Sequence, residues 1–546
     1  MRVCKMKQFC QLLLLTLLML IAAETQAKQY DVIIKNGFVV DGSRTVGKKE
    51  NIAIRDGKIV YVGLNANLSA KEVIDAKGLT VSPGFIDVHN HAESIVNSGA
   101  SLRNESYLLQ GVTTLVTGPD GYLAPKDIIA IKSYLKQNGS STNVAVYIGH
   151  NGVRQQVMGM KPVLANPEQI AAMKKLVKQG MKLGAVGLST GLMYQPGMYS
   201  NTSEVIELAK VAAAFGGSYD SHVRDPVHEL IKSYKEVIEI GREAHIPVKI
   251  AHAKLVGLDN SDLFPQVRKL INHARDKGIY VVSDQYPYDG AFNEWIWQAI
   301  ALPEAMQPAN KRDYNRELIS NLLKDPAKRA ELKKYNETNK DKFTWIKAVG
   351  YKSMRIVVSK ERPNLVGKHI SELASEWSES AFDVMSELII NPELNVNITY
   401  GSVLERNVQN FLMQPWNMIS SDGAWSSDSK TMLKTHPRST GTYPRILGRY
   451  VRETGLLDLS EAIFKMSAFP AKFLGLGKRG LIKEGYIADI TIFDANTIIG
   501  RSTWVHPERL SVGVKYVLVN GKFAVADGKM TAKMTGQFVR HVSVEK

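Results

Sequence analysis

His89-Asn90-His91 follows the apolar run Leu79-Thr80-Val81-Ser82-Pro83-Gly84-Phe85-Ile86-Asp87-Val88, and that combination has the makings of a metal site. Side chains along a strand repeat every second residue, so a buried strand ending in His-x-His sends both imidazoles to one side, within reach of one cation. Two solvated loop histidines are the plainer alternative, and the apolar strand directly before them favours ligands. Further polar groups stand in comparable places. Ser218-Tyr219-Asp220-Ser221-His222 and Val248-Lys249-Ile250-Ala251-His252 each end in an imidazole, about one βαβ repeat apart, and Met418-Ile419-Ser420-Ser421-Asp422-Gly423 ends in a carboxylate. Taken singly, His222 and His252 read more readily as satisfied core histidines, and Asp422, were the four histidines absent, as a turn residue before Gly423.

The elements that must position these groups are legible as a pattern. Across residues 84–474, apolar strand-like runs alternate with helical stretches, the texture of a parallel sheet closed by crossover helices. Eight candidate strands end near His91, Asp120, His150, Thr190, His222, His252, Tyr288 and Asp422, which predicts a (β/α)8 TIM-like barrel. Active sites of such barrels lie at the strand C-termini, where the polar groups recur. Once the last strand closes on the first, Asp422 becomes a neighbour of His89 and His91.

Residues 30–74 read differently, as short β-branched runs whose Asn36-Gly37 and Asp56-Gly57 pairs predict hairpins. The same texture returns at residues 488–493 and 514–525, with Asn520-Gly521 as a turn. The expectation is one small β-sandwich domain built from residues 28–83 and 475–546. Residues 290–397 are rich in lysine and glutamate and carry Trp295, Trp297, Trp345 and Trp377. This stretch is too long for one barrel loop, and reads as a substrate lid or as a solvated helical decoration.

With 44% hydrophobic and 22% charged residues the chain has the composition of a folded globular enzyme and not of a disordered segment. In residues 1–27, Arg2, Lys5 and Lys7 precede an apolar run at 12–23, and Thr25-Gln26-Ala27 offers small residues for cleavage. This reads as a signal peptide, too short for the roughly 18–20 residues of a membrane span, and predicts a secreted or periplasmic protein with no stable membrane span after cleavage. Both cysteines, Cys4 and Cys10, fall in that segment, so the remaining chain has no thiol or disulfide. The net charge of +16 is dispersed along the chain, which argues against a nucleic-acid partner and is compatible with anionic small molecules.

Three segments carry a family resemblance: Pro83-Gly84-Phe85-Ile86-Asp87-Val88-His89-Asn90-His91, Gly184-Ala185-Val186-Gly187-Leu188-Ser189-Thr190-Gly191-Leu192-Met193-Tyr194 and His436-Pro437-Arg438-Ser439-Thr440-Gly441-Thr442-Tyr443-Pro444-Arg445. On these the chain resembles the amidohydrolase superfamily, and within it the N-acyl-D-amino-acid deacylase (D-aminoacylase) family, over nearly all of its length after residue 27. The resemblance implies a zinc enzyme in which His222 and His252 hold the tighter ion, while His89, His91 and Asp422 surround a second, weaker or vacant metal position. It implies Asp422 as general base. It points to Lys254, Tyr286 or Tyr288, and Arg438 as clamps on a substrate α-carboxylate. Tyr194 is placed to polarise the scissile carbonyl, with plain packing as the alternative.

One position departs from the pattern. In Gly118-Pro119-Asp120-Gly121 the resemblance predicts a cysteine ligand where Asp120 stands. A carboxylate is a harder ligand and can bridge two metals, which leaves metal identity and number open; a turn-forming Asp-Gly is the alternative. No lysine ends the strand at 186–190, so a carboxylated-lysine bridge is unavailable there. His150 is given only a supporting role. The implied reaction is hydrolysis of the amide of an N-acyl-D-amino acid, or of a short peptide with a D-residue, both small-molecule partners. The alternatives are a cyclic-amide hydrolase of the hydantoinase or dihydropyrimidinase type, and a non-catalytic metal- or ligand-binding barrel.

Overall fold

The computed structural model describes residues 30–93, 102–291, 293–308, 314–339, 344–401, 403–424 and 436–542; the expected signal peptide, with Cys4 and Cys10, lies outside them. Eight short parallel strands form a ring: Phe85–Asp87, Val112–Thr117, Asn143–Val146 continued by Ile148–Gly149, Gly187–Gly191, Ser218–His222, Val248–Ile250, Val281–Gln285 and Asn417–Ile419. Each pairs with the next. The ring shuts where Asn90 bridges Gly423, with His91 N donating to Gly423 O and Asp422 N to His89 O, both at 2.8 Å. The strands are buried throughout because helices cover the outside and side chains fill the inside, which is why they read as continuous apolar runs without alternation. The expected (β/α)8 barrel is present.

Local chemistry sets the crossover helices. In Pro167–Leu183, Asn166 caps the N-terminus by accepting from the Gln169 amide, a proline occupies the first turn, and Gly184 ends the helix in the left-handed region. Met173, Val177 and Met181 recur on one side of it and pack into the barrel's outer core.

Both chain ends contribute to a nine-stranded sheet. Its N-terminal strands are Tyr30–Val39, Lys48–Arg55, Lys58–Gly63, Ala70–Asp75 and Thr80–Pro83, and its C-terminal ones Ile490–Phe493, Val514–Val519, Lys522–Ala526 and Lys529–Met530. The two halves meet where Thr80–Pro83 pairs antiparallel with Ile490–Phe493. Asp56-Gly57 and Asn520-Gly521 turn hairpins as expected, each pair at positive φ. Asn36-Gly37 does not. Tyr30–Val39 runs on as one strand, and Asn36, at φ 61°, forms a bulge where the register against Lys48–Arg55 shifts. The Asn36 amide is satisfied by Asn51 Oδ1 at 2.9 Å, and a Cβ at Gly37 would meet Val81 Cγ2 at 2.5 Å, so this pair serves a close approach of strands and not a reversal.

The stretch between the seventh and eighth barrel strands is more ordered than its composition suggested. Asn293–Trp295, Met354–Ser359 and Val396–Tyr400 form an antiparallel sheet. Helices Arg316–Lys324, Pro326–Thr338, Trp345–Val349, Ile370–Trp377 and Ala381–Ile390 pack with it around a separate apolar core. Trp345 stacks on Tyr400 at 4.6 Å between ring centroids.

A buried polar knot joins the nine-stranded sheet to the barrel. Asp489 pairs with Arg479, accepts from Asn143 Nδ2 of the third barrel strand at 3.1 Å, and accepts from the Asn520 amide at 2.7 Å. Removing one member of a buried ion pair leaves the other uncompensated. Asp489→Ala is therefore expected to cost about 3–5 kcal/mol of stability, read from the urea midpoint, while Asp489→Asn, which keeps part of the hydrogen bonding, is expected to lose less.

Candidate metal centre and substrate pocket

The barrel brings His89, His91, Asp120, His222, His252 and Asp422 together at its C-terminal mouth. Three overlapping sets have ligand atoms within 4.8 Å of one another: His89, His91 and Asp120; His89, His252 and Asp422; and Asp120, His222 and His252. His252 Nε2 faces His222 Nδ1 at 2.8 Å. Asp422 Oδ1 lies 3.1 Å from His91 Nε2 and 3.5 Å from His89 Nε2. The Asp120 carboxylate spans the two sides, with Oδ1 3.5 Å from His222 Nδ1 and Oδ2 3.8 Å from His91 Nε2. Asp120 does stand in a turn, flanked by Gly118 and Gly121 at positive φ, and the same turn aims its side chain into the cluster.

The residues fit a metal. Both ring nitrogens of His89, Nε2 of His222 and Oδ1 of Asp120 are buried with no hydrogen-bond partner, a state that costs about 1–3 kcal/mol per group when left unmet. Imidazole nitrogens and carboxylate oxygens are a donor set suited to zinc and related divalent ions. Strain accompanies them: Asp120, His252 and Asp422 have φ of 59°, 35° and 48°. Non-glycine residues in that region cost on the order of 1–3 kcal/mol each and persist where the surroundings over-determine them.

Electrostatics separates the groups. Burial alone would raise the Asp422 carboxyl, but Arg438, His89 and the bond to His91 hold it well below the usual range. Burial likewise opposes ionisation of Asp120, and the His222 imidazole, 3.5 Å from its Oδ1, brings it down to about 2. Burial pushes the His89 imidazole down to about 4, against the pull of Asp422, which keeps it neutral as a ligand must be. Burial lowers His252 well below its ordinary value, assisted by Lys254.

A cavity of ≈ 220 Å³ opens above this cluster, lined by the candidate ligands other than His89, by Tyr194, Lys254 and Arg438, and by Met193, Pro226, Val256, Ala291 and Trp345. Tyr194 Oη is 3.3 Å from His222 Nδ1. Arg438 Nη1 donates to Asp422 Oδ2 at 2.6 Å and to the Ala291 carbonyl at 3.2 Å. Lys254 Nζ donates to His252 O at 3.2 Å, and burial lowers it to about 8. Tyr286 lies behind both cations, with the Arg438 guanidinium 4.6 Å and the Lys254 ammonium 5.4 Å from its ring. Tyr288 is turned away from the cavity, packing on Trp504 and Arg445, so of the two tyrosines only Tyr286 adjoins the clamp. His150 is also remote: it bonds Glu204 at 2.8 Å, which Arg154 pairs in turn, and so secures structure beside the barrel.

With this geometry the relatives can be placed. The sequence pattern of the amidohydrolase family matches residues 72–256 and 375–525. The chain belongs to the amidohydrolase family. It is 30% identical to the D-aminoacylase of Alcaligenes xylosoxydans xylosoxydans over 94% of this chain and 98% of that protein. It is 28% identical to the N-acyl-D-glutamate deacylase of the same organism, over 90% and 93%. Among solved structures, the N-acyl-D-glutamate deacylase of Bordetella bronchiseptica, complexed with zinc and a phosphonate mimic of the tetrahedral intermediate, superposes with a TM-score of 0.73 at 27% identity, covering 94% of this chain and all of the other. The amidohydrolase is thus of the D-aminoacylase branch, a metal-dependent enzyme acting on linear amides. The family pattern skips residues 257–374, which include most of the helical insertion.

Several supporting residues were not singled out from sequence. Glu93 Oε1 lies 3.2 Å from His91 Nδ1 and Glu93 is also bonded by Thr117, a carboxylate backing a candidate ligand. The period-two spacing of His89, His91 and Glu93 was the available signal. Asp87 accepts from the Ser421 amide at 3.0 Å and hydroxyl at 2.5 Å. His436 packs edge-on against Trp504 and accepts the Arg438 amide at 3.2 Å, steadying the start of the helix Arg438–Arg445 that carries the arginine. Neither contact has a local sequence signature. His222→Ala or His252→Ala is expected to weaken divalent-metal binding by more than the roughly 10–100-fold typical of outer partners, read by chelator competition, whereas His150→Ala is expected to leave metal affinity unchanged.

Proposed function

We propose that this amidohydrolase is a zinc-dependent deacylase of N-acyl-D-amino acids, or of short peptides bearing a D-residue, and that it works in a secreted or periplasmic setting. The observation that carries the reading is Asp422, a strand-end carboxylate held between two candidate ligands and the guanidinium of Arg438 at the cavity wall. The D configuration is taken from the names of the relatives, and zinc from the ion in the Bordetella bronchiseptica structure.

When bound, zinc lowers the pKa of water toward neutrality and withdraws electrons from a carbonyl. Asp422 accepts a proton from the attacking water as its oxygen bonds the amide carbon, then returns that proton to the nitrogen as the C–N bond breaks, releasing carboxylic acid and amine. Tyr194 donates its hydroxyl to the oxygen on which charge develops. Lys254 and Arg438 receive the α-carboxylate, and the apolar wall of Met193, Pro226, Val256 and Trp345 takes the hydrocarbon part of the substrate.

Amine release from paired N-acetyl-D- and N-acetyl-L-amino acids tests the reading. Chelator-sensitive release with D preferred is expected; L preference or insensitivity to metal removal would sink it. Asp422→Asn is expected to lower kcat by roughly 10²–10⁴ with the fold, read by circular dichroism, retained. Arg438 touches the base as well as the pocket, so its loss would harm any substrate. Lys254 lines the pocket and bonds the His252 carbonyl without touching Asp422, and is the cleaner probe of carboxylate recognition: Lys254→Met is expected to reduce kcat/KM for N-acyl-amino acids by about 30-fold or more, the effect of removing one member of a buried charge pair. A neutral cyclic amide turned over equally by both forms would favour the hydantoinase type of substrate.

A further inference from the structure

Lys249 lies at the centre of the barrel, one layer below the candidate metal centre, and the reaction above does not use it. Its side chain is fully buried. The ammonium contacts Asp284 Oδ1 at 2.6 Å, Asp220 Oδ1 at 3.1 Å and the Val88 carbonyl at 3.2 Å. Asp284 Oδ2 accepts from Ser420 Oγ at 2.5 Å, while Asp220 Oδ2 has no hydrogen-bond partner. These carboxylates stand beside His89: His89, Asp220 and Asp284 offer ligand atoms within 4.8 Å of one another, a fourth set of the kind found in the mouth, and neither ring nitrogen of His89 has a hydrogen-bond partner. His89 is therefore shared between two upper sets and one lower set. The lower set, one imidazole nitrogen and two carboxylate oxygens, would itself attract a divalent ion. A protonated lysine only donates; it supplies the charge such a cluster needs but cannot ligate a metal.

We infer that Lys249 is a resident cation: its ammonium fills a metal-competent cluster of His89, Asp220 and Asp284 beneath the catalytic centre, commits His89 to the upper sets, and confines metal to the barrel mouth. It is a positioning residue, and its role rests on the proposal that the upper sets hold the working metal. The same ammonium holds the Val88 carbonyl, so it also orients the peptide that carries His89.

Lys249→Gln is the test, because an amide keeps the reach of the side chain while replacing the charge with an oxygen that can ligate. The full chain is stripped of metal, loaded with Mn²⁺, and the bound ions are counted by elemental analysis and by manganese electron paramagnetic resonance. One more ion per chain than in the parent is expected in Lys249→Gln, falling back to the parent count when Asp220→Asn is added. Folding of Lys249→Gln only when Mn²⁺ is present would support the inference equally, since the ion then replaces the missing charge. A folded Lys249→Gln with the parent's count overturns it. So does a Lys249→Gln that stays unfolded with and without Mn²⁺ while the uncharged Lys249→Met/Asp220→Asn/Asp284→Asn chain folds. A parent that binds no metal would count against the proposed catalytic centre, and the difference between variant and parent would still decide the role of Lys249.

Discussion

Asp87, fully buried at the end of the first barrel strand, accepts the amide and hydroxyl of Ser421, just beyond the eighth strand, and faces the His89 amide, just beyond its own, at 3.4 Å. This seam, with the Asp422-to-His89 and His91-to-Gly423 backbone bonds, places the last strand's carboxylate against the first strand's imidazoles. Burial pushes the Asp87 carboxyl up to about 7 in spite of those bonds. Loosening it would separate Asp422 from His89 and His91 while leaving His222 and His252, two strands bonded to each other, where they are.

Below and around the seam, the interior is organised by charge as much as by apolar packing. Asp220, Lys249 and Asp284 fill one layer, and Asp120, Asp422 and Arg438 the next. Charges in so dry a place are tolerated only as pairs or as ligands. Both ring nitrogens of His89, Nε2 of His222, Oδ1 of Asp120 and Oδ2 of Asp220 are left without hydrogen-bond partners, and all four residues belong to the sets that could hold a metal. Strained backbone at Asp120, His252 and Asp422 belongs to the same economy, since the packed barrel holds these residues where local preference would not.

The insertion between the seventh and eighth strands was legible only as a long, charged, tryptophan-bearing stretch. Its antiparallel sheet has no local signature because the partners are distant in sequence: Asn293–Trp295 and Met354–Ser359 both pair with Val396–Tyr400. Which of its aromatics reaches the cavity was likewise hidden. Trp345 does, seated on Tyr400, while Trp297 packs against Tyr314 within the insertion's own core. Asn36-Gly37 shows the complementary limit, a dipeptide that favours positive φ and is used by the fold for a bulge instead of a turn.

What the chain by itself determined was the repeat of apolar strands with crossover helices, the His-x-His pair of His89 and His91, and the polar residues at strand ends, because period and spacing are local properties. It also marked Asp120 as the departure from the family pattern. Only the tertiary structure decided that Arg438 grips Asp422, that Tyr286 and not Tyr288 stands behind the pocket cations, that Glu93 backs the His91 imidazole while Asp87 ties Ser421 to the first strand, and that Lys249 meets two carboxylates in the barrel centre. Most of these contacts join residues far apart in the chain. Their distances follow from barrel closure and from the pairing of buried charges, which no local pattern encodes.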